Sequence, residues 1–172
     1  MIRVRPARRA DAAAIGRIHV ETWRDAYAGL LPDAGLLRLS PSIEAERWRT
    51  VIDRGGAVFV ADDDGRVIGF GSCGRCRQHT LPFDGEVQTL YVAPEHHGRG
   101  AGRMLLAGLF RALETAGRKS ALIWVLRDNP SRFFYEAMGG RHVADRNERV
   151  WGCMMAESAY GWDRLTVPCS HQ

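Results

Sequence analysis

The chain has 172 residues, 45% of them hydrophobic, and a formal charge of +4 carried almost wholly by arginine, since Lys119 is its only lysine. That length fits one α/β domain with a proper core, residues 1–172 as a single unit. No apolar run is long enough for a bilayer, and the basic start MIRVRPARRAD lacks the apolar stretch of a secretory signal. A soluble cytoplasmic protein without a membrane partner is therefore expected.

In chain order, residues 2–5 read as a short strand, and Asp11 as the N-cap of a helix running to about Tyr27. Pro32 opens a short helical piece, and Pro41 opens another that ends near Arg54-Gly55-Gly56. Residues 57–61 and 67–73 flank Asp64-Gly65, a strong hairpin signal. The dense basic cluster Arg3, Arg5, Arg8 and Arg9 is answered by Asp62-Asp63-Asp64. The excess charge is thus expected to be a solvated face, and no nucleic-acid partner is expected.

Cys73 and Cys76 have C-x-x-C spacing, but Cys153 and Cys169 are too far apart to complete a zinc site. Structural thiols are expected, and no metal. Residues 85–92 alternate as the next strand, and a Pro94 turn leads to His97-Gly98-Arg99-Gly100-Ala101-Gly102. Glycines at alternate positions leave backbone amides uncovered. The helix expected over 103–116 adds its own unpaired N–H groups and a positive dipole end. Such a loop is built to hold an anion, most often a phosphate, with Arg99 and Arg103 adding charge. The helix carries Leu105, Leu106, Leu109, Phe110 and Leu113 on one face and stops at Gly117. Residues 122–126 form a buried strand, followed by a short helix to Met138. Residues 142–148 and 154–162 can form a final hairpin with a long connection.

The spacing G-x-G-x-G departs from the dinucleotide pattern G-x-G-x-x-G, and no lysine follows Gly102 as a nucleoside-triphosphatase loop requires. It resembles instead the acyl-CoA loop of the GNAT superfamily of N-acyltransferases, [QR]-x-x-G-x-[GA] after a strand ending V-x-P. Val92, Pro94, Gly100 and Gly102 match, and His97 departs from the Gln/Arg position. A second resemblance lies in Asn129, Phe134, Tyr135, Glu136 and Gly139, which match the family's strand–Asn–helix with F-Y-E-x-x-G. The Asn129–Tyr135 spacing is one residue short of the common form, about 100° of helix rotation. The close resemblance covers residues 85–140 and implies the GNAT fold: a mixed, mostly antiparallel sheet flanked by helices, with one parallel strand pair splayed at its carboxyl ends.

The resemblance further implies acetyl-CoA as co-substrate and transfer of its acetyl group to a primary amine, of a small molecule or a protein, by direct attack. The pyrophosphate would lie on His97, Gly98, Arg99, Gly100, Ala101, Gly102 and Arg103. Backbone groups of Leu90, Tyr91 and Val92 would meet the pantetheine and the thioester carbonyl. Asn129 would bond the same arm or cap a helix, and Arg132 would reach a phosphate or stay a surface arginine. Tyr135 would protonate the departing thiolate, since a phenol keeps its proton at neutral pH; the alternative is a packing aromatic. Glu86 is the expected base: if Leu90 faces inward, Glu86 does so by period two, and a carboxylate there needs a wet cleft. A rim carboxylate is the other reading. His19, Trp23 and Tyr27, spaced i, i+4, i+8, form a stripe expected to wall the acceptor with Glu21 nearby and Tyr160-Gly161-Trp162 closing the wall. Core packing is the competing reading. A homodimer is left open. A non-catalytic acyl-CoA sensor and a dinucleotide oxidoreductase are the competing functions.

Overall fold

The computed structural model describes residues 1–168, so Cys169 lies outside the described residues. Seven strands form one sheet in the order β1-β2-β3-β4-β5-β7-β6. They are β1 Ile2–Pro6, β2 Ala57–Asp63, β3 Arg66–Arg75, β4 Gly85–Val92, β5 Ala121–Leu126, β6 Arg141–Val150 and β7 Cys153–Trp162. The helices are α1 Ala12–Ala26, α2 Asp33–Arg38, α3 Pro41–Asp53, α4 Ala101–Thr115 and α5 Ser131–Ala137, with single 3-10 turns at Arg9–Asp11 and Pro94–His96. Among these strands only the β4–β5 pair is parallel; the other five neighbouring pairs are antiparallel.

The strand alternation divides the core in two. Val58, Val60 and Phe70 project to one face, where Ile15 and Ile18 of α1 cover them. Ala61 and Ile68 project to the other and meet Leu105 of α4, while Leu106, Leu109 and Leu113 of α4 join Val87, Ile123 and Val125. Truncating one such fully buried leucine to alanine costs about 2–5 kcal/mol. On the first face α1 and α3 touch backbone to backbone. A Cβ on Gly16 would stand 2.3 Å from the carbonyl oxygen of Pro41, so only glycine permits that crossing.

Two turns follow the same hairpin chemistry, one expected and one not. Asp64 and Gly65 both have positive φ, 49° and 93°, as a two-residue turn between right-twisted strands requires. The β6–β7 connection does the same with Trp151 and Gly152, at 48° and 82°. A long connection was expected there, but strand pairing runs from Arg141↔Gly161 to Val150↔Cys153. Charged residues on β6 hid its length, because its outer face is solvated.

Asp11 does not cap α1 with its side chain. Its carboxylate turns back to accept two bonds from Arg5 at 2.8 and 3.0 Å and one from the Arg8 N–H at 2.7 Å. Burial pushes the Asp11 carboxyl up, but Arg5 and the Arg8 amide outweigh it, and the group lies below the usual carboxylate range.

The position of the site is set by the middle of β4. Val87 pairs with Cys73 but Thr89 pairs with Ser72, so Gln88 is an extra residue, a β-bulge. On the other edge, β4 pairs with β5 only at Gly85↔Ala121 and Glu86↔Leu122. Beyond Glu86 the two strands part, leaving one backbone edge of β4 facing a trough.

Candidate active site

The trough ends at the glycine loop. Gly98 and Gly100 take φ of 74° and 83°, and a Cβ on either would meet no atom within 4 Å, so conformation rather than crowding selects glycine there. Gly102 is selected by space: a Cβ would come 3.3 Å from Cζ of Phe134, which packs α5 against the first turn of α4. No side chain caps Gly100 at the start of α4, so that turn presents uncapped N–H groups and a positive dipole end. Ala101, Gly102 and Arg103 form this turn.

The loop is braced from its flanks. Arg99 donates to Nδ1 of His96 at 2.8 Å and to Asp63 at 2.8 Å, which turns its charge toward the β2–β3 hairpin. His97 bonds through Nε2 to the Val92 carbonyl at 2.9 Å, closing the end of β4 rather than extending into the loop. Leu90 and Val92 lie on the α4 side of the sheet and Tyr91 on the α1 side.

Tyr135 is 4% exposed, held edge-on to Phe134 at 5.2 Å between centroids and to Trp162 at 6.3 Å. Burial, with Tyr91 adding to it, pushes its phenol well above the usual tyrosine value, so it holds its proton throughout the physiological range. Asn129 accepts the Ser131 N–H at 2.8 Å, a turn that starts α5 and places Tyr135. Arg132 lies over the exposed ring of Phe133, 4.7 Å from its centroid.

On the opposite face of the trough stands an aromatic wall. Trp23 stacks on Tyr27 at 4.5 Å, approaches Trp151 at 5.9 Å, and donates its Nε1–H to the Tyr91 hydroxyl at 3.2 Å. His19 continues the wall: its Nδ1 accepts from Nε1 of Trp48 at 2.9 Å and lies 3.7 Å from buried Glu44. Burial lowers the His19 pKa; the Glu44 charge raises it and Arg47 lowers it, and burial prevails. Because Trp48 can only donate, the neutral ring carries its proton on Nε2.

Four expected residues are placed elsewhere. Glu86 does not face a wet cleft. It is 2% exposed, at the still-paired end of β4, and its two oxygens accept from the Arg77 guanidinium at 2.6 and 3.1 Å and the Arg77 N–H at 3.0 Å. Period two does not carry from Leu90 to Glu86, because the bulge at Gln88 reverses the alternation between them. Glu21 ion-pairs with Arg17 at 3.2 Å; two residues from Trp23, about 200° around the helix, it leaves the aromatic stripe. Tyr160 and Trp162 do not close the acceptor wall. They bond Glu136 at 3.1 Å and the Met138 carbonyl at 2.9 Å, seating α5. Trp151 stands against Trp23 instead, from a turn 125 residues beyond the end of α1 that no local pattern links to it.

Cys73 and Cys76 are free and buried, and burial pushes the Cys73 thiol up to about 11. Among the described residues no group of three His, Cys, Asp or Glu could hold a metal ion, and no helix is long and apolar enough to cross a membrane.

Residues 16–140 match the acetyltransferase (GNAT) family. The chain is 35% identical over 168 residues to the uncharacterized N-acetyltransferase YuaI of Bacillus subtilis, covering 97% of this chain and 96% of that one. It is 32% identical over 119 residues to the L-amino acid N-acyltransferase MnaT of Escherichia coli, covering 67% and 64%. Among solved structures, yncA from Salmonella typhimurium with its cofactor acetyl-CoA has a TM-score of 0.71 at 21% identity, covering 99% and 98%. The PaiA N-acetyltransferase of Thermoplasma acidophilum in complex with coenzyme A has a TM-score of 0.69 at 20% identity, covering 92% and 98%.

Proposed function

The chain belongs to the GNAT acetyltransferase family, and from that premise we propose that it moves an acetyl group from acetyl-CoA to a primary amine by direct attack. The observation that carries this reading is the open edge of β4 beyond Glu86. It leads from the uncapped first turn of α4 past the buried phenol of Tyr135, with the aromatic wall on the far side. The acetyl-CoA in the yncA structure and the CoA in the PaiA structure support the choice of donor.

The chemistry follows from what each group can donate. Amides of residues 98–103 bind the pyrophosphate, since the positive φ at Gly98 and Gly100 lets the backbone approach without side chains. The open edges of Leu90, Tyr91 and Val92 offer strand-like bonds to the pantetheine arm, as a missing β-neighbour would. A backbone N–H on this edge polarises the thioester carbonyl and receives the charge that develops on its oxygen. The amine nitrogen bonds to the carbonyl carbon, the carbon–sulfur bond breaks, and Tyr135 gives its proton to the departing thiolate. With Glu86 held by Arg77, the amine loses its proton to water in the trough.

Free-thiol release from acetyl-CoA against a panel of amines tests the proposal. Amine-dependent thiol release at the expense of acetyl-CoA is the expected result. Tight CoA binding with no release for any amine would favour the acyl-CoA sensor, and preference for NAD over CoA would favour an oxidoreductase.

A further inference from the structure

On the acceptor side of the trough, Glu157 is a carboxylate that the transfer chemistry has not used and that, unlike Glu44, does not lie behind His19. Glu157 lies on β7 in the row Leu126↔Glu157↔Arg146, beside the last residue of β5 where the parallel strands have parted. Its face of the sheet is known from its neighbours. Leu126 and Met155, which share that face, are packed with Leu31 and Leu36 and against Trp23 and Tyr27. Glu157 therefore opens toward the aromatic wall and away from α4.

Its bonding is incomplete. Arg146 Nε holds Oε2 at 2.7 Å, while Oε1 has no hydrogen-bond partner among the described residues. The side chain is 13% exposed, and Oε1 keeps contact with solvent rather than standing as a buried orphan, so it is open to a donor from a ligand. Arg146 serves only Oε2. Its guanidinium carbon lies over the Trp124 ring, 4.1 Å from the centroid, and its Nε also stands 3.8 Å from Glu148. One positive charge thus faces two carboxylates, leaving the trio with a net negative charge. The phenols of Tyr27 and Tyr91 both sense it. Burial raises them first, and the Glu157 charge is among the smaller causes that raise them further.

We propose that Glu157 docks the acceptor, binding a primary ammonium whose carrier lies against the rings of Trp23, Tyr27 and Tyr91. The assignment rests on the transfer reaction proposed above and gives it a substrate class: amines that arrive as cations on an apolar or aromatic body. An ammonium supplies the donors that Oε1 lacks, and ring faces beside it add a cation–π attraction. Glu157 acts as a specificity residue; Arg146 positions it by fixing Oε2.

The test compares two probes of one shape, phenethylamine, cationic at pH 7, and 2-phenylethanol, which is neutral. Calorimetry with CoA comes first. Failure to bind CoA overturns the transfer reading and this one with it. With CoA bound, the wild type should prefer phenethylamine by about 10-fold or more, the worth of a charge-assisted bond. Glu157→Gln keeps the shape and an oxygen for Arg146. It should abolish that preference while leaving CoA and 2-phenylethanol affinity unchanged. Equal binding of the two probes by the wild type, binding of neither, or a preference that survives in Glu157→Gln would overturn the role of Glu157 and leave the transfer reading standing. Should the Gln variant not fold, Glu157→Asp must retain the preference, and the wild-type contrast still decides.

Discussion

The indole N–H of Trp23 donates to the hydroxyl of Tyr91 across 3.2 Å, tying α1 to the splayed half of β4. Tyr91 in turn adds to the burial that raises the Tyr135 phenol. Trp23→Ala should raise the acceptor's KM about 10-fold or more through loss of ring contact and of the Tyr91 bond, with the Kd for acetyl-CoA unchanged. Steady-state kinetics and calorimetry check this. Normal kinetics in a variant with only a lowered melting temperature would make the wall a packing feature.

Gly100→Glu places a side chain at a φ of 83° and a negative charge where the backbone must meet phosphate. Calorimetry should find acetyl-CoA binding abolished while far-UV circular dichroism stays native. Undiminished affinity in the folded variant would move the phosphate site away from this loop.

Tyr135→Phe removes only the hydroxyl from a side chain otherwise held by Phe134 and Trp162. A positioned acid contributes about 10²–10⁴-fold in rate, and the loss should fall at the lower end because a thiolate leaves fairly well unprotonated. It should appear in kcat, with the Kd for acetyl-CoA nearly constant. Wild-type kcat, measured where chemistry limits the rate, would demote Tyr135 to packing.

His19 makes stability fall on mild acidification. Its folded pKa is lowered, chiefly by burial, so below its unfolded value of about 6.5 the unfolded chain binds more protons than the folded one. Stability from this group is full above that pH and declines as pH drops toward the folded value. His19→Asn offers Trp48 an acceptor but cannot titrate; its melting temperature should vary less than the wild type's between pH 7.5 and 5. Parallel curves would show that another group controls this window.

Asp11 acts in a lower window. Its folded pKa is depressed by Arg5 and the Arg8 amide despite burial, so its contribution is present above about pH 4 and is lost as pH falls through the folded value. Asp11→Asn leaves the partly buried Arg5 without this partner and should cost about 2–3 kcal/mol at pH 7, some 5–10 °C in Tm. The deficit should shrink in melts at pH 3. A constant deficit would mean that shape, not charge, is what Asp11 contributes.

Much of the fold was legible because its signals are local. The hairpin at Asp64-Gly65 needs only two residues with positive φ. The leucines of α4 need only a 3.6-residue period. The glycine loop is read from spacing alone, since what fits beside phosphate is the absence of a side chain. The family followed from two such local motifs.

What local pattern could not carry was anything decided by a partner distant in sequence. Period two assigned Glu86 to the face of Leu90, but the β3–β4 register inserts Gln88 and reverses it, and Arg77 then claims the carboxylate. Pairing across the sheet is what sets Glu157 beside Leu126, the last residue of β5. Trp151 met Trp23 only because a two-residue turn carries β6 and β7 out to α1. The sequence by itself determined most of the elements, the glycine loop at the start of α4 and the family. The tertiary structure alone decided which side chains face the acceptor, because strand register and a single bulge fix direction, and neither is written in the residues that they turn.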